Sequence, residues 1–550
     1  MSLNVLDATV VELRAGLVEG RLTSEHIVSE YLSQIERHNA NGLGVRALIS
    51  TAPREYVLAQ ARTLDAERKE QGPRGPFHGI PILVKDTFLT KSSMGMATTF
   101  GSAALIDAMA TENAAVVDLV SEMFDGLRFL TTDLGCWDAC AGKDEPFVAD
   151  DGLQEFNNYK ATPPNTGGWS SAGGQGRSPY VVGGVLANAT FLGHSTPCGS
   201  SSGSAIGVAA GFAPIALGAE TDGSLVQPCS RAGLYALKPT PGTVSVANVL
   251  GGTTFDVVGP MARTAKDVAD MVGLLMGEDF TGTLKGSWQG VKVGIVQHEP
   301  WAPAPFVVEP VDEFTAQVVC LSTPVNARPR LTCAQKDEMR QAAEKIRKMG
   351  GTVVEDVTLS PFWEYADFMS SRGIDADSFW GDYYHSRYGL RDNFDALMTK
   401  FETAKVRTLA EMIQYHRTHA DVCLPPEHHS QAGLESIQEE KVDPKFEENV
   451  TAMRNEARAR IDDALDKFGV DVILSQSDGR MASLAAAAGY AVAALPLGYA
   501  KFNGRAWGVN AVAGARGEAK ILELMSVWEA TFPDARQAPP RLREPSKPAL

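Results

Sequence analysis

Pro197-Cys-Gly-Ser-Ser-Ser-Gly-Ser-Ala205, followed by Gly218-Ala-Glu-Thr-Asp-Gly-Ser224, is the stretch on which the reading of this chain turns. Three successive hydroxyls between glycines are not packing residues, because serine buries little apolar area. A flexible Gly/Ser linker would not run on into the small apolar residues of Ala205 to Leu217. A phosphate-cradling loop would need Gly-x-x-x-x-Gly-Lys-Ser/Thr, a pattern this segment lacks. Gly199-Ser-Ser-Ser-Gly203 does fit a Gly-x-Ser-x-Gly nucleophile elbow with Ser201 as nucleophile. That motif needs a strand directly before it, and His194-Ser-Thr-Pro-Cys198 is a poor strand.

A serine hydroxyl is a weak nucleophile until a base takes its proton, and no histidine is placed here to do so. Upstream, Gly79-Ile-Pro-Ile-Leu-Val-Lys85-Asp86 is a short apolar strand that ends on a lysine. A lysine can act as base only when neutral, which means lowering its pKa from ~10.4 toward ~7. The apolar run Ile82-Leu83-Val84 is consistent with such desolvation. Taken alone, a lysine at an exposed strand end is the simpler reading. Beside the serine segment, the catalytic reading prevails.

Around these segments the chain reads as one large α/β unit. Thr9-Val-Val-Glu12 is a capping box at a helix start. A second helix from about Thr23 carries Ile27, Val28, Tyr31, Leu32 and Ile35 on one face and stops at Asn39-Ala-Asn-Gly42. Residues Arg54 to Gln71 form a third, more polar helix. Alternating β-type and helical segments continue to about Gly350, including Val291 to Val296 and a helix from Met339 to Lys348. A strand at Val470 to Leu474 and an Ala-rich segment lead to Ala494-Leu-Pro-Leu-Gly-Tyr499. The expected fold class is α/β, a mixed sheet covered by helices in one domain. Its parts are an N-terminal helical portion (1–75), a core (76–535) with insertions near 143–196 and a helical region (362–468), and a tail (536–550). Polar 143–168 and glycine-rich 181–187 carry the insertion signal.

Composition removes several classes of function. Fifty Lys plus Arg against 67 Asp plus Glu gives a net charge of -17, and no basic run stands out, so neither nucleic acid nor an anionic membrane is an expected partner. Cys136, Cys140, Cys198, Cys229, Cys320, Cys333 and Cys423 form neither a disulfide framework nor a zinc spacing, which favours free thiols, no metal and a cytoplasmic setting. Met1 to Arg14 contains Asp7 and Glu12 and does not read as a signal peptide. No window reaches the ~18 apolar residues of a membrane span.

The run from Gly199 to Ser245 resembles the amidase signature family, in which a second serine follows the first after 24 residues, as Ser224 follows Ser200. Leu237-Lys-Pro-Thr-Pro-Gly-Thr-Val-Ser245, Gly259-Pro-Met-Ala-Arg-Thr264 and His78-Gly-Ile-Pro-Ile-Leu-Val-Lys-Asp86 are similar to further family segments. So are Gly489-Tyr490, Pro496, Gly498-Tyr499 and Trp507-Gly508. The resemblance implies the amidase signature fold, no cofactor, and a catalytic set of Lys85, Ser200 (the serine that follows a cis peptide) and nucleophilic Ser224. It also implies an oxyanion loop of Thr221, Asp222, Gly223 and Ser224. Glu220-Thr-Asp-Gly-Ser224 replaces the commoner Asp-Thr-Gly-Gly-Ser and resembles a branch that includes peptide amidases. Val226 stands where arginine is frequent and Ala491 where proline is usual.

The expected activity is cleavage of a small or peptidic amide, and a homodimer is compatible with it. Two rivals are a glutaminase component serving an amidotransferase and a non-catalytic binding descendant. Ser201 is a candidate relay or substrate contact, or else a tight-turn residue. Trp137 is a candidate substrate-lining residue, with a core position as the alternative. His416 and His419, three apart on a helical stretch, lack a third ligand and read as a solvated helix face.

Overall fold

The computed structural model describes residues 3–124, 131–132, 155–160, 167–187, 189–252, 254–297, 301, 305–308, 334–359, 362–372 and 388–543. At the N-terminus three helices form where local signals place them. Thr9 caps the helix Val10–Val18 in a capping box with Glu12, and Thr23 caps Ser24–His38. The third, Arg54–Gln71, buries Val57, Leu58, Ala61 and Leu64 against its neighbour. Asp65 on that helix accepts from the amides of Ser24 (2.7 Å) and Glu25 (3.1 Å). A carboxylate at a helix N-terminus satisfies free donors and opposes the helix dipole, so it locks the pair together.

Among the described residues ten strands form one mixed sheet: β1 (Leu83–Val84), β2 (Thr131–Thr132), β3 (Ile215–Glu220), β4 (Tyr235–Lys238), β5 (Val257–Ala262), β6 (Lys292–Val296), β7 (Thr352–Val357), β8 (Val472–Gln476), β9 (Val492–Tyr499) and β10 (Ala506–Val512). Their order across the sheet is β7-β6-β8-β10-β9-β4-β5-β3-β1-β2. β1 runs parallel to β2 and β3, β6 parallel to β7 and β8, and the remaining neighbours pair antiparallel. Central strands are buried on both faces, which is why β3, β4 and β8 read as continuous apolar or small-residue runs instead of alternating ones.

The expected strand from Gly79 pairs only at Leu83 and Val84, since Pro81 has no N–H to give a ladder. The apolar run after Ser201 divides into the helix Ser202–Ala209 and strand β3. A second apolar cluster lies apart from the sheet core. It joins Phe100 and Leu105 from the chain before β2, Phe156 from the turn at 155–160, and Phe394, Leu397, Met412 and Leu434 from the helical region after 388.

Candidate active site

Two neighbouring strands deliver the candidate residues to one place. Val84 in β1 pairs with Leu217 in β3, and the Lys85 amide continues the ladder to the Leu217 carbonyl at 3.1 Å. This register sets the lysine side chain beside the end of β3. Lys85 is 1% exposed, and its Nζ donates to Ser200 Oγ at 2.6 Å and to the Ala219 carbonyl at 3.2 Å. Ser200, from the turn before the helix Ser202–Ala209, is equally buried. Ser224 arrives from the other side, on the loop that leaves β3. The Ser201 amide donates to the Ser224 carbonyl at 3.0 Å, so the two serine segments lie backbone to backbone.

Small residues make that approach feasible. A Cβ on Gly199, which has φ 70°, would lie 2.4 Å from Pro228 Cδ and 3.3 Å from the Ser224 carbonyl. One on Gly218 would lie 2.9 Å from Ser201 Oγ. Ser201 Oγ in turn donates to the Ala219 carbonyl at 3.0 Å and accepts from the Ala219 amide at 3.2 Å. These two bonds tie the segment of Ser201 to the end of β3, the arrangement expected of a tight-turn residue.

The loop from Thr221 to Ser224 is shaped by Glu220, which sequence reasoning treated only as a branch marker. Its buried carboxylate accepts from the amides of Leu225 and Val226, both at 2.9 Å, at the start of the helix Val226–Arg231. Gln227 donates its amide to the Gly223 carbonyl at 2.9 Å. Among the described residues no acceptor engages the amides of Asp222, Gly223 and Ser224. Successive amides left open beside a buried hydroxyl make a cradle for negative charge on oxygen. Thr221 is occupied differently, with its hydroxyl donating to Asp256.

Asp222 has both carboxylate oxygens on the Ser483 hydroxyl, at 3.0 and 2.9 Å. Burial pushes this carboxyl up to about 7, against the pull of the Ser483 donor, while nearby Glu220 adds to the rise and Lys238 opposes it. The Cys198 thiol, two residues before Ser200, is pushed up to about 12 by burial and is therefore inert near neutral pH. Behind it, Asp478 receives Arg231 Nε at 3.1 Å and Arg505 Nη1 at 3.1 Å. Arg231 Nη1 donates to the carbonyls of Gly193 and Thr196, which holds the approach to Pro197 and Cys198 in place. No local pattern in the sequence announces Asp256, Arg231 or Asp478, whose partners lie 27 to 247 residues away.

Trp137 lies outside the described residues. His416 is fully buried, contrary to the solvated face expected for it: Nδ1 meets Gln431 Oε1 at 3.1 Å and Nε2 lies 3.0 Å from Ser102 Oγ and 3.2 Å from Glu155. His419 stays exposed, at the end of its helix. Among the described residues no group of His, Cys, Asp and Glu has metal-site geometry, and no helix is long and apolar enough to cross a membrane.

A family model described as Amidase matches residues 26–123 and 177–495. The chain is 31% identical over 278 residues to an Arabidopsis thaliana protein named "Probable amidase", covering 50% of this chain and 47% of that one. It is 30% identical over 327 residues to a glutamyl-tRNA(Gln) amidotransferase component of Thioalkalivibrio sulfidiphilus, covering 57% of each. The chain thus spans about half the length of the curated relatives it matches. The crystal structure of native peptide amidase from Stenotrophomonas maltophilia superposes with a TM-score of 0.75 at 26% identity, over 98% of this chain and 99% of that one.

Proposed function

Because the chain belongs to the Amidase family, we propose that it hydrolyses linear amides through an acyl-enzyme on Ser224, releasing a carboxylic acid and ammonia or an amine. The observation that carries this reading is the buried 2.6 Å contact between Lys85 and Ser200, set against the Ser224 loop with its open amides. In the proposed cycle Ser224 Oγ attacks the carbonyl carbon and gives its proton to Ser200, whose own proton passes to a neutral Lys85. Negative charge on the carbonyl oxygen is met by the amides of Asp222, Gly223 and Ser224, each donor typically worth about 3 kcal/mol. The protons then return along the same path to the leaving nitrogen, because an amine anion is not a usable leaving group. Water releases the acyl group by the same route in reverse.

The likeness to a peptide amidase supports a peptidic acyl part; the bond attacked in this proposal is a carboxamide and not an internal peptide bond. A panel of carboxamides assayed with the unmutated protein and Ser224→Ala tests the assignment; turnover that persists in the variant refutes it. The relatives named as amidotransferase components favour one other reading, a glutaminase that passes ammonia to a partner. Copurification of a second protein together with glutaminase activity would select it.

A further inference from the structure

Residues 155–160 make a turn that few sequences would adopt unaided. Phe156 (φ 53°, ψ 45°), Asn157 (φ 54°, ψ 34°) and Asn158 (φ 73°) are consecutive non-glycine residues in the left-handed region. Asparagine tolerates that region, but a phenylalanine there sets its Cβ against its own carbonyl. Such conformations persist only where the surroundings over-determine them, and they gather at functional sites.

Here the surroundings hold the turn at Glu155, Phe156, Asn157 and Lys160. Glu155, 1% exposed, accepts from Lys160 Nζ at 2.6 Å across the turn and from the amide and hydroxyl of Ser171 at 3.1 and 2.9 Å. Lys160 Nζ also donates to the Cys423 carbonyl at 2.6 Å. The Phe156 amide donates to the Phe100 carbonyl, and Asn157 Nδ2 to the Leu250 carbonyl, both at 3.0 Å. A turn fixed so firmly delivers one polar group to the nucleophile loop. Tyr159, 4% exposed, donates its hydroxyl to Thr221 Oγ1 at 3.3 Å, and Thr221 donates to Asp256.

We propose that Tyr159 is a positioning residue for the oxyanion loop, holding Thr221 so that the amides that follow it meet the charge that develops on the substrate oxygen. The inference rests on the reading of Ser224 as nucleophile. The two hydroxyls form a relay of donors that ends on a carboxylate, so each bond polarises the next. With Thr221 held at its hydroxyl from both sides, its rotamer is set, and with it the direction of the loop. At 3.3 Å the Tyr159 bond is long for two hydroxyls, as catalytic bonds often are without substrate. Oxyanion donors act on the transition state far more than on bound substrate, so the loss belongs in the rate of the chemical step and not in binding.

A fluorophosphonate probe tests this without a known substrate, because its attack by a serine also places charge on a cradled oxygen. Labelling of Ser224 is measured against probe concentration for the unmutated protein, Tyr159→Phe, Thr221→Val and the double variant. The expected result is a fall of about 3- to 10-fold in the maximal labelling rate of Tyr159→Phe. The probe concentration for half-maximal rate and the thermal midpoint should stay nearly unchanged, and no further loss should appear when Tyr159→Phe is added to Thr221→Val. An unchanged maximal rate, a loss confined to probe binding, or a full second loss in the double variant overturns the inference while leaving Ser224 as nucleophile. Failure of the unmutated protein to label overturns the reading of Ser224, and the inference with it.

Discussion

The segment from Ser200 to Ser224 and the turn from Glu155 to Lys160 face one loop and are built on opposite principles. The first is held by backbone and small side chains: Gly199 and Gly218 allow contact, Ser201 ties to Ala219, and Glu220 gathers two amides. The second is held by a buried ion pair, a buried histidine and phenylalanines from three parts of the chain. Chemistry that requires a serine to approach within hydrogen-bond distance leaves no room for large side chains. The supporting wall lies farther out, where charge pairing and aromatic bulk supply stiffness. The difference predicts that catalysis and stability are separable between the two regions.

The strongest test of that separation is Ser224→Ala. It should lower amide kcat/KM by about 10⁴-fold or more, with the unfolding midpoint nearly unchanged. Next, Lys85→Ala should cost amide cleavage about 10³-fold and a matched ester distinctly less, because only the amide needs its leaving group protonated; equal losses would break the proposed relay. In the outer region the order inverts. Lys160→Met should destabilise the protein by about 3–5 kcal/mol in urea unfolding, since it strands a buried carboxylate.

Acid should find the same weak point. Burial alone would raise Glu155, but Lys160 and His416 beside it win and hold the carboxyl down to about 2. A depressed acid stabilises the fold above its unfolded pKa, and that contribution is lost as pH falls. Stability should therefore drop between about pH 4.5 and 2, and Glu155→Gln combined with Lys160→Met should flatten the drop. The smallest effect concerns Asp222, which burial brings up to about 7. As pH rises through that value a negative charge appears beside the oxyanion loop. The ratio of Asp222→Asn to unmutated kcat should climb by a few-fold from about pH 6 to 8, and a flat ratio would remove Asp222 from the electrostatics of the site.

Legibility in the sequence followed distance along the chain. The helix starts at Thr9 and Thr23 were readable because a cap and its partner are three residues apart. The 24-residue spacing from Ser200 to Ser224 was readable as a family likeness because a helix and a strand of set length lie between them. Glu220 stood in plain view, but its hold on Leu225 and Val226 depends on a loop shape that no periodicity encodes. His416 was misread because a helix face carries no sign of what packs on it; Ser102, Glu155 and Gln431 come from three separate segments.

By itself the sequence determined the family and nominated the proposed carriers of its chemistry: hydroxyls without packing value, a lysine ending an apolar strand, and segments resembling one family. Only the tertiary structure decided their arrangement, since β1 and β3 meet across more than 130 residues of chain before Lys85 can reach Ser200. The same holds for Tyr159, whose hydroxyl gains meaning once a left-handed turn, clamped by Glu155 and Lys160, carries it to Thr221. Local composition sets what a residue can do, whereas long-range pairing and burial set what it touches.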